Sequence, residues 1–310
     1  MDRFNRILVA ASPGHLEPAT LRAAVKLADT NNAHLTVLSV LEPLPRWRRT
    51  VKVESRLIDL QELVLRDRSE RFRRFVELTG PRPEVAVETR TGKPLVEVIR
   101  FVLSHDCDLV VVGETEPSKG SPSGVSAGVM QLLRKCPVPV WTIRPTRGRI
   151  LGVLALVDPD PTDPVRDGLN DLVLELATSM FRRDGGELHV AHAWNLEGEA
   201  TAATKIVQAV TDEHQAQLDA LTERHGISPA GGCVHLVKGE PGRVLPELAE
   251  RLDINLIVMG TVARTGLSGL FMGNTAETIL RSVRCSVLAL KPEGFVSPVP
   301  PRPNSGKAGR

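Results

Sequence analysis

From Gly260 to Leu280 the chain reads GTVARTGLSGLFMGNTAETIL. Four glycines, Gly260, Gly266, Gly269 and Gly273, fall within its first fourteen residues, and a helix-like apolar pattern follows. The chemistry open to such a loop is the holding of phosphate. Backbone N–H groups at a helix N-terminus bind anions without burying a counter-charge, and the helix dipole adds to their pull. Gly260 closes an apolar run, where a Cβ would crowd a ligand lying over the strand end. Gly273 stands just before the last helix pattern, so the amides of Asn274 and Thr275 can face phosphate oxygens. Thr275 is also placed to cap that helix. Arg264 is a flexible cation able to partner a phosphate, and it reads equally as a solvated surface arginine. Ala263 occupies a place where a further glycine is expected, and forcing alanine into a left-handed turn costs about 1 kcal/mol. The same glycines also suit a connection shaped only for folding.

Those residues need elements to carry them, and the chain supplies the elements twice. Thr91 to Glu116 aligns with Lys238 to Ala263 at an offset of 147, matching Gly92 to Gly239, Asp106 to Asp253 and Gly113 to Gly260. Matching Gly124 to Gly273 and Cys136 to Cys285 raises the offset to 149, which implies two residues fewer in the first loop. RILVAAS, Arg6 to Ser12, corresponds to GVLALVD, Gly152 to Asp158. The repeat is therefore a whole domain. In each copy continuous Val/Ile/Leu runs alternate with amphipathic helices, the pattern of a parallel sheet covered on both faces. The fold class is α/β: two tandem doubly wound domains, each five-stranded in the order 3-2-1-4-5, with ligands expected at the carboxyl ends of the strands. The domains are residues 1–147 and 148–292, and 293–310 reads as a disordered Pro-rich tail.

Composition narrows the function. The 310 residues carry 39 basic and 37 acidic groups, a net charge of +2, and are 42% apolar. That balance gives no footprint for nucleic acid or an anionic membrane. No apolar run reaches the roughly 18 residues of a membrane span, and MDRFNRILVAAS lacks a signal-peptide pattern. Cys107, Cys136, Cys233 and Cys285 form no CxxC pair and read as buried thiols of a cytoplasmic protein. The loop is neither GxxxxGK followed by Ser or Thr nor GxGxxG, and GxSxG is absent. No nucleophile and base stand together, so neither a catalytic residue nor a metal set is assigned. His189 and His192 fall on opposite faces of a strand, while His214 and His225 read as surface residues of one helix. Arg46-Trp47-Arg48-Arg49 reads as a solvated loop with a half-buried Trp, and Leu65 to Phe75 as the wet face of a helix.

An Asp closing the first strand, Asp158, followed after the fourth strand by Gly260, Ala263, Gly273 and Asn274, resembles the G-x2-G-x9-G pattern of the universal stress protein family, which ends in Ser or Thr. Read alone, Asp158 equally opens the turn DPDPTDP or caps the next helix. The resemblance implies that Asp158 meets adenine or ribose, that the backbone at Ala193 meets adenine, and that the ligand is ATP, with or without Mg2+. It implies a stress-response regulator that is not an enzyme beyond slow ATP hydrolysis. It also implies pairing through the fifth strands, Pro139 to Arg144 and Ser286 to Lys291, and self-association. Asn274 and Ala263 depart from the family pattern, which leaves a scaffold without nucleotide as the alternative. The first copy has Ser12 in place of the Asp and acidic Glu114 and Glu116 where phosphate needs donors, so it is expected to be closed to a triphosphate.

Overall fold

The structure, a computed structural model, describes residues 3–12, 16–53, 56–78, 85–114, 124–144, 152–196, 204–228, 233–261 and 272–302. The chain divides into two compact units. The first comprises residues 1–113, 135–138 and 297–310, and the second residues 114–134 and 139–296.

In the first unit the order is β1 (Arg6–Ala11), α1 (Pro18–Asn31), β2 (His34–Leu41), α2 (Arg46–Arg49), β3 (Thr50–Val53), β4 (Arg56–Asp59), α3 (Leu60–Glu77), β5 (Ala86–Thr91), α4 (Pro94–His105) and β6 (Leu109–Gly113). β5, β2, β1 and β6 pair in parallel in that order. β3 and β4 form a separate antiparallel hairpin that the sequence pattern did not announce. Trp47, read as half-buried, lies on the short helix α2 with 76% exposure. A helix of one turn has no second row of residues with which to cover an indole.

The second unit holds α5 (Ala127–Lys135, its last residue falling in the first unit), β7 (Val140–Ile143), β8 (Gly152–Leu156), α6 (Pro164–Asp184), β9 (Glu187–Trp194), α7 (Thr204–Arg224), β10 (Val234–Lys238), α8 (Pro241–Arg251), β11 (Leu256–Gly260), α9 (Asn274–Ser282) and β12 (Ser286–Leu290). β10, β9, β8, β11 and β12 run parallel in that order, which is the predicted 3-2-1-4-5. β7, the fifth strand of the first copy, adds to β12 antiparallel, with Val287 opposite Thr142, Leu288 opposite Trp141 and Ala289 opposite Val140. The pairing of fifth strands that the resemblance implies is thus present. It covers an edge that would otherwise expose unpaired N–H and C=O groups.

The matched residues of the repeat have physical reasons. Asp106 and Asp253 both end a helix in the left-handed region, at φ 48° and 50°. A short polar side chain tolerates that region better than most. Gly92 and Gly239 follow β5 and β10 at φ 155° and 144°, a region that side chains rarely adopt. The loop offset needs correction. α5 and α9 are displaced by 147 at both ends, 127 to 274 and 135 to 282. No residues are missing from the first loop, and Ser126, not Gly124, corresponds to Gly273. Cys136 follows α5 whereas Cys285 precedes β12, so those cysteines are not equivalent.

Gly124 is glycine for another reason: a Cβ there would collide with the Arg281 backbone. α5 and α9 are also joined by Arg134 Nη2 to Glu277 Oε2 at 2.6 Å. Hydrogen bonds from Arg134 and then Arg281 hold the Glu277 carboxyl below its ordinary 4.5. A depressed carboxyl contributes stability above its unfolded value and loses it as pH falls through the folded one. The two paired side chains are 30% and 25% exposed, so solvent screening keeps the contribution to about 0.5–1 kcal/mol. Urea titrations of Glu277→Gln should show that deficit at pH 7 and none once the pH is well below 4.5.

The Pro-rich segment predicted to be disordered is seated as far as it is described. In the first unit Ser297 Oγ donates to the Lys135 carbonyl at 2.8 Å, Val299 is buried, and Arg302 pairs with the buried Glu97, which also takes Arg100 Nη1 at 3.2 Å. Prolines lower the entropy lost on ordering, and Glu97 supplies a carboxylate that needs a cation. Residues 303–310 of the predicted tail and Glu116 lie outside the described residues.

Candidate functional site

The registers Leu256 opposite Val153 and Met259 opposite Leu156 bring the carboxyl ends of β8 and β11 side by side. Between these strands the sheet order reverses direction, the crevice where open α/β sheets take ligands. Asp158 lies just past β8. Its N–H donates to Asn170 Oδ1 and its carbonyl accepts from Asn170 Nδ2, both at 3.0 Å, and Asn170 is buried on α6. Its carboxylate faces Arg166 Nη1 at 3.6 Å and His192 Nδ1 at 3.9 Å. Arg166 also binds Asp160 at 2.8 Å and Asp163 at 3.5 Å. The helix cap is Asp163, which accepts from the amides of Val165 and Arg166. Asp158 therefore does not cap the helix.

Gly260 ends β11. A Cβ there would lie 2.5 Å from Leu169 Cδ2, so its demand for glycine comes from the packing of α6, in addition to any ligand overhead. Gly113 shows the same demand, because a Cβ there would collide with Thr20 Oγ1. Thr261 is fully buried, donates its N–H and hydroxyl to the Leu290 carbonyl at 3.1 and 3.0 Å, and accepts the Gly273 N–H at 3.2 Å. Gly273 is the N-cap of α9 and leaves the helix without a side-chain cap. Asn274 is its first residue and Thr275 its second, both exposed. Thr275 thus lies inside the helix and is not its cap. Ala193 is buried in β9. Ala263 and Arg264 lie outside the described residues.

Several polar residues near this edge carry no sequence signal. His192 is 1% exposed, and its Nδ1 lies 3.1 Å from the Val157 carbonyl. A carbonyl only accepts, so Nδ1 carries the proton, and a neutral ring then accepts at Nε2 from His214 Nδ1, 2.9 Å away. His214 also stacks on Trp194 at 5.4 Å, and His225 Nε2 bonds Asp171 at 2.7 Å, so neither is the free surface histidine the helix pattern suggested. On the opposite face of β9, His189 pairs with His235 at 3.1 Å, and burial lowers the pKa of His235. Lys291, 8% exposed, follows the Leu290 that receives both Thr261 bonds, with Nζ 4.7 Å from the Phe295 ring centroid. Among the described residues no group of three or more His, Cys, Asp or Glu is placed to hold a metal. None of the described helices is long and apolar enough to cross a membrane. A groove of about 300 Å³ lies between α8 and α9, but Glu240, Glu247 and Glu250 line it and suit it poorly to phosphate.

Two copies of a doubly wound α/β pattern place the chain in the class of tandem α/β proteins of this topology. The chain belongs to the universal stress protein family, whose model matches residues 3–144 and 163–291. It is similar to universal stress protein E of Escherichia coli K12, with 32% identity over 220 residues covering 67% of this chain and 68% of the relative. It is also similar to universal stress protein E of Salmonella typhi, with 27% identity across 96% of this chain and 98% of the relative. Its fold is that of PA1789, a protein of unknown function from Pseudomonas aeruginosa PAO1, with a TM-score of 0.73 at 23% identity over 95% of each chain. A universal stress protein of Archaeoglobus fulgidus DSM 4304 shares it at a TM-score of 0.59 and 20% identity, over 92% of this chain and 98% of that one.

Proposed function

We propose that the second copy binds an adenine nucleotide, ATP, and that the chain acts as a regulator in stress response without a catalytic step of its own. The observation that carries this reading is the N-terminus of α9. It has no side-chain cap, its first two residues are exposed, and its cap residue Gly273 bonds Thr261 just past β11, the strand that pairs with β8 ahead of Asp158. Phosphate oxygens would take the amides of Asn274 and Thr275, with Lys291 as a nearby cation. The sugar or base would meet Asp158. A scaffold without nucleotide is favoured by one specific feature, the engagement of Asp158 with Arg166 and His192.

Calorimetric titration of the full chain with ATP, with and without Mg2+, separates the two. Heat saturating at one nucleotide per chain supports binding; no heat at sub-millimolar protein ends the proposal. Asn274→Pro sharpens the result. Proline suits the first helical position, and Gly273 already has the extended ψ of 144° that a following proline requires. The variant keeps α9 but removes one donor, so ATP affinity should fall about tenfold with melting unchanged.

A further inference from the structure

At the position corresponding to Thr261 the first copy has Glu114, and this residue is turned inward. It is 4% exposed, its N–H donates to the Ile143 carbonyl at 2.8 Å, and Oε1 accepts from the Ser126 N–H at 2.9 Å and the Ser126 hydroxyl at 3.2 Å. Ser126 in turn accepts the Val129 N–H at 3.4 Å, as an N-cap does. A carboxylate thus sits on the first free donor of α5, where an anion is held most strongly. No described residue accepts from the amides of Ala127 and Gly128 behind it, and the space around Gly128 is open.

A second, independent feature is Arg144. It follows β7, its N–H donates to Ser286 Oγ at 3.1 Å, and solvent reaches only 6% of the residue. Nε has no hydrogen-bond partner, and the guanidinium makes no ion pair with a described residue. The Glu114 N–H bonds the carbonyl of Ile143, the residue before Arg144; burial raises the Glu114 carboxyl above its ordinary value, and the Ser126 hydrogen bonds and then the Arg144 charge oppose that rise. A buried guanidinium without a bonded anion is costly, and its planar fork matches an oxyanion. The second copy repeats the arrangement with a different balance. There the buried cation is Lys291, while the residue at the Glu114 position is the neutral Thr261.

We infer that the first copy carries a phosphate-class oxyanion site built from Arg144, Ser126 and the N-terminus of α5, and that the Glu114 side chain occupies it in place of a ligand. The copy is closed by an internal anion, not by loss of its donors. This does not depend on nucleotide binding by the second copy.

The probe is inorganic phosphate, titrated calorimetrically into the full chain, with thermal melts confirming the fold. Glu114→Thr copies the residue that the second copy already accommodates, and Glu114→Ala provides a second route should the threonine variant not fold. Either should bind one phosphate more per chain than the parent, or bind phosphate about tenfold more tightly, the effect of one charge-assisted hydrogen bond. Adding Arg144→Gln should cancel the gain, while adding Asn274→Pro, at the other copy, should leave it intact. No gain in either folded Glu114 variant overturns the inference. So does a gain that survives Arg144→Gln, or one abolished by Asn274→Pro.

Discussion

Trp141→Ala is expected to lower the stability of the second unit by about 3–5 kcal/mol, the range for removing a fully buried large aromatic side chain. Trp141 is 2% exposed on β7, opposite Leu288 of β12, with the Arg183 guanidinium 5.4 Å from its ring centroid. β7 has only four residues, so little else on the strand can offset the cavity. Trp141→Phe should cost far less. Nε1 of Trp141 has no hydrogen-bond partner, so phenylalanine forfeits ring volume but no bond. Urea denaturation followed by circular dichroism gives the comparison. An alanine variant within about 1 kcal/mol of the parent would mean that the β7–β12 seam contributes little to folding.

The seam also shows what the sequence could and could not convey. Its strands were legible because Val140–Ile143 and Ser286–Leu290 are short apolar runs bounded by helix ends and prolines. Their partnership was an implication of the family resemblance, and it agrees with the liability that two exposed fifth strands would present. The loop alignment misled because Cys136 and Cys285 look like a matched pair. Both are buried, but a small apolar thiol suits the end of a helix as well as the start of a strand. The helix bounds, not the cysteines, set the true offset. The β3–β4 hairpin stayed hidden because TVKV and RLID are too short to show a period.

At the site, what was legible was local and what was hidden was tertiary. Gly273 before a helix announces its N-terminus by position alone. Gly260 announces close approach, but not that Leu169 on a distant helix is what approaches. Glu114 looked like a charge facing phosphate. Its actual partner, Ser126, lies 12 residues further along the chain, and no periodicity links the two. His192 and His214 are likewise joined only because α7 returns over β9.

Asn170 makes a tertiary contact of the same kind at the candidate site. It is 4% exposed and grips the backbone of Asp158 from both sides, as acceptor and as donor. Only a carboxamide offers both functions at that reach. Asn170→Ala removes both hydrogen bonds and leaves a small cavity, an expected loss of about 2 kcal/mol in urea denaturation. Asn170→Asp keeps the acceptor but loses the donor and sets a carboxylate against the Asp158 carbonyl, so it should be no better than alanine. If Asp158 meets the nucleotide, its displacement should also weaken ATP binding about tenfold at a temperature where the variant remains folded. Arg166→Gln is the contrast: it removes the Arg166 charge from the Asp158 carboxylate without touching its backbone, and should leave ATP affinity unchanged or improved. Weakening by Arg166→Gln together with no effect of Asn170→Ala would place the ligand on the arginine, not on Asp158.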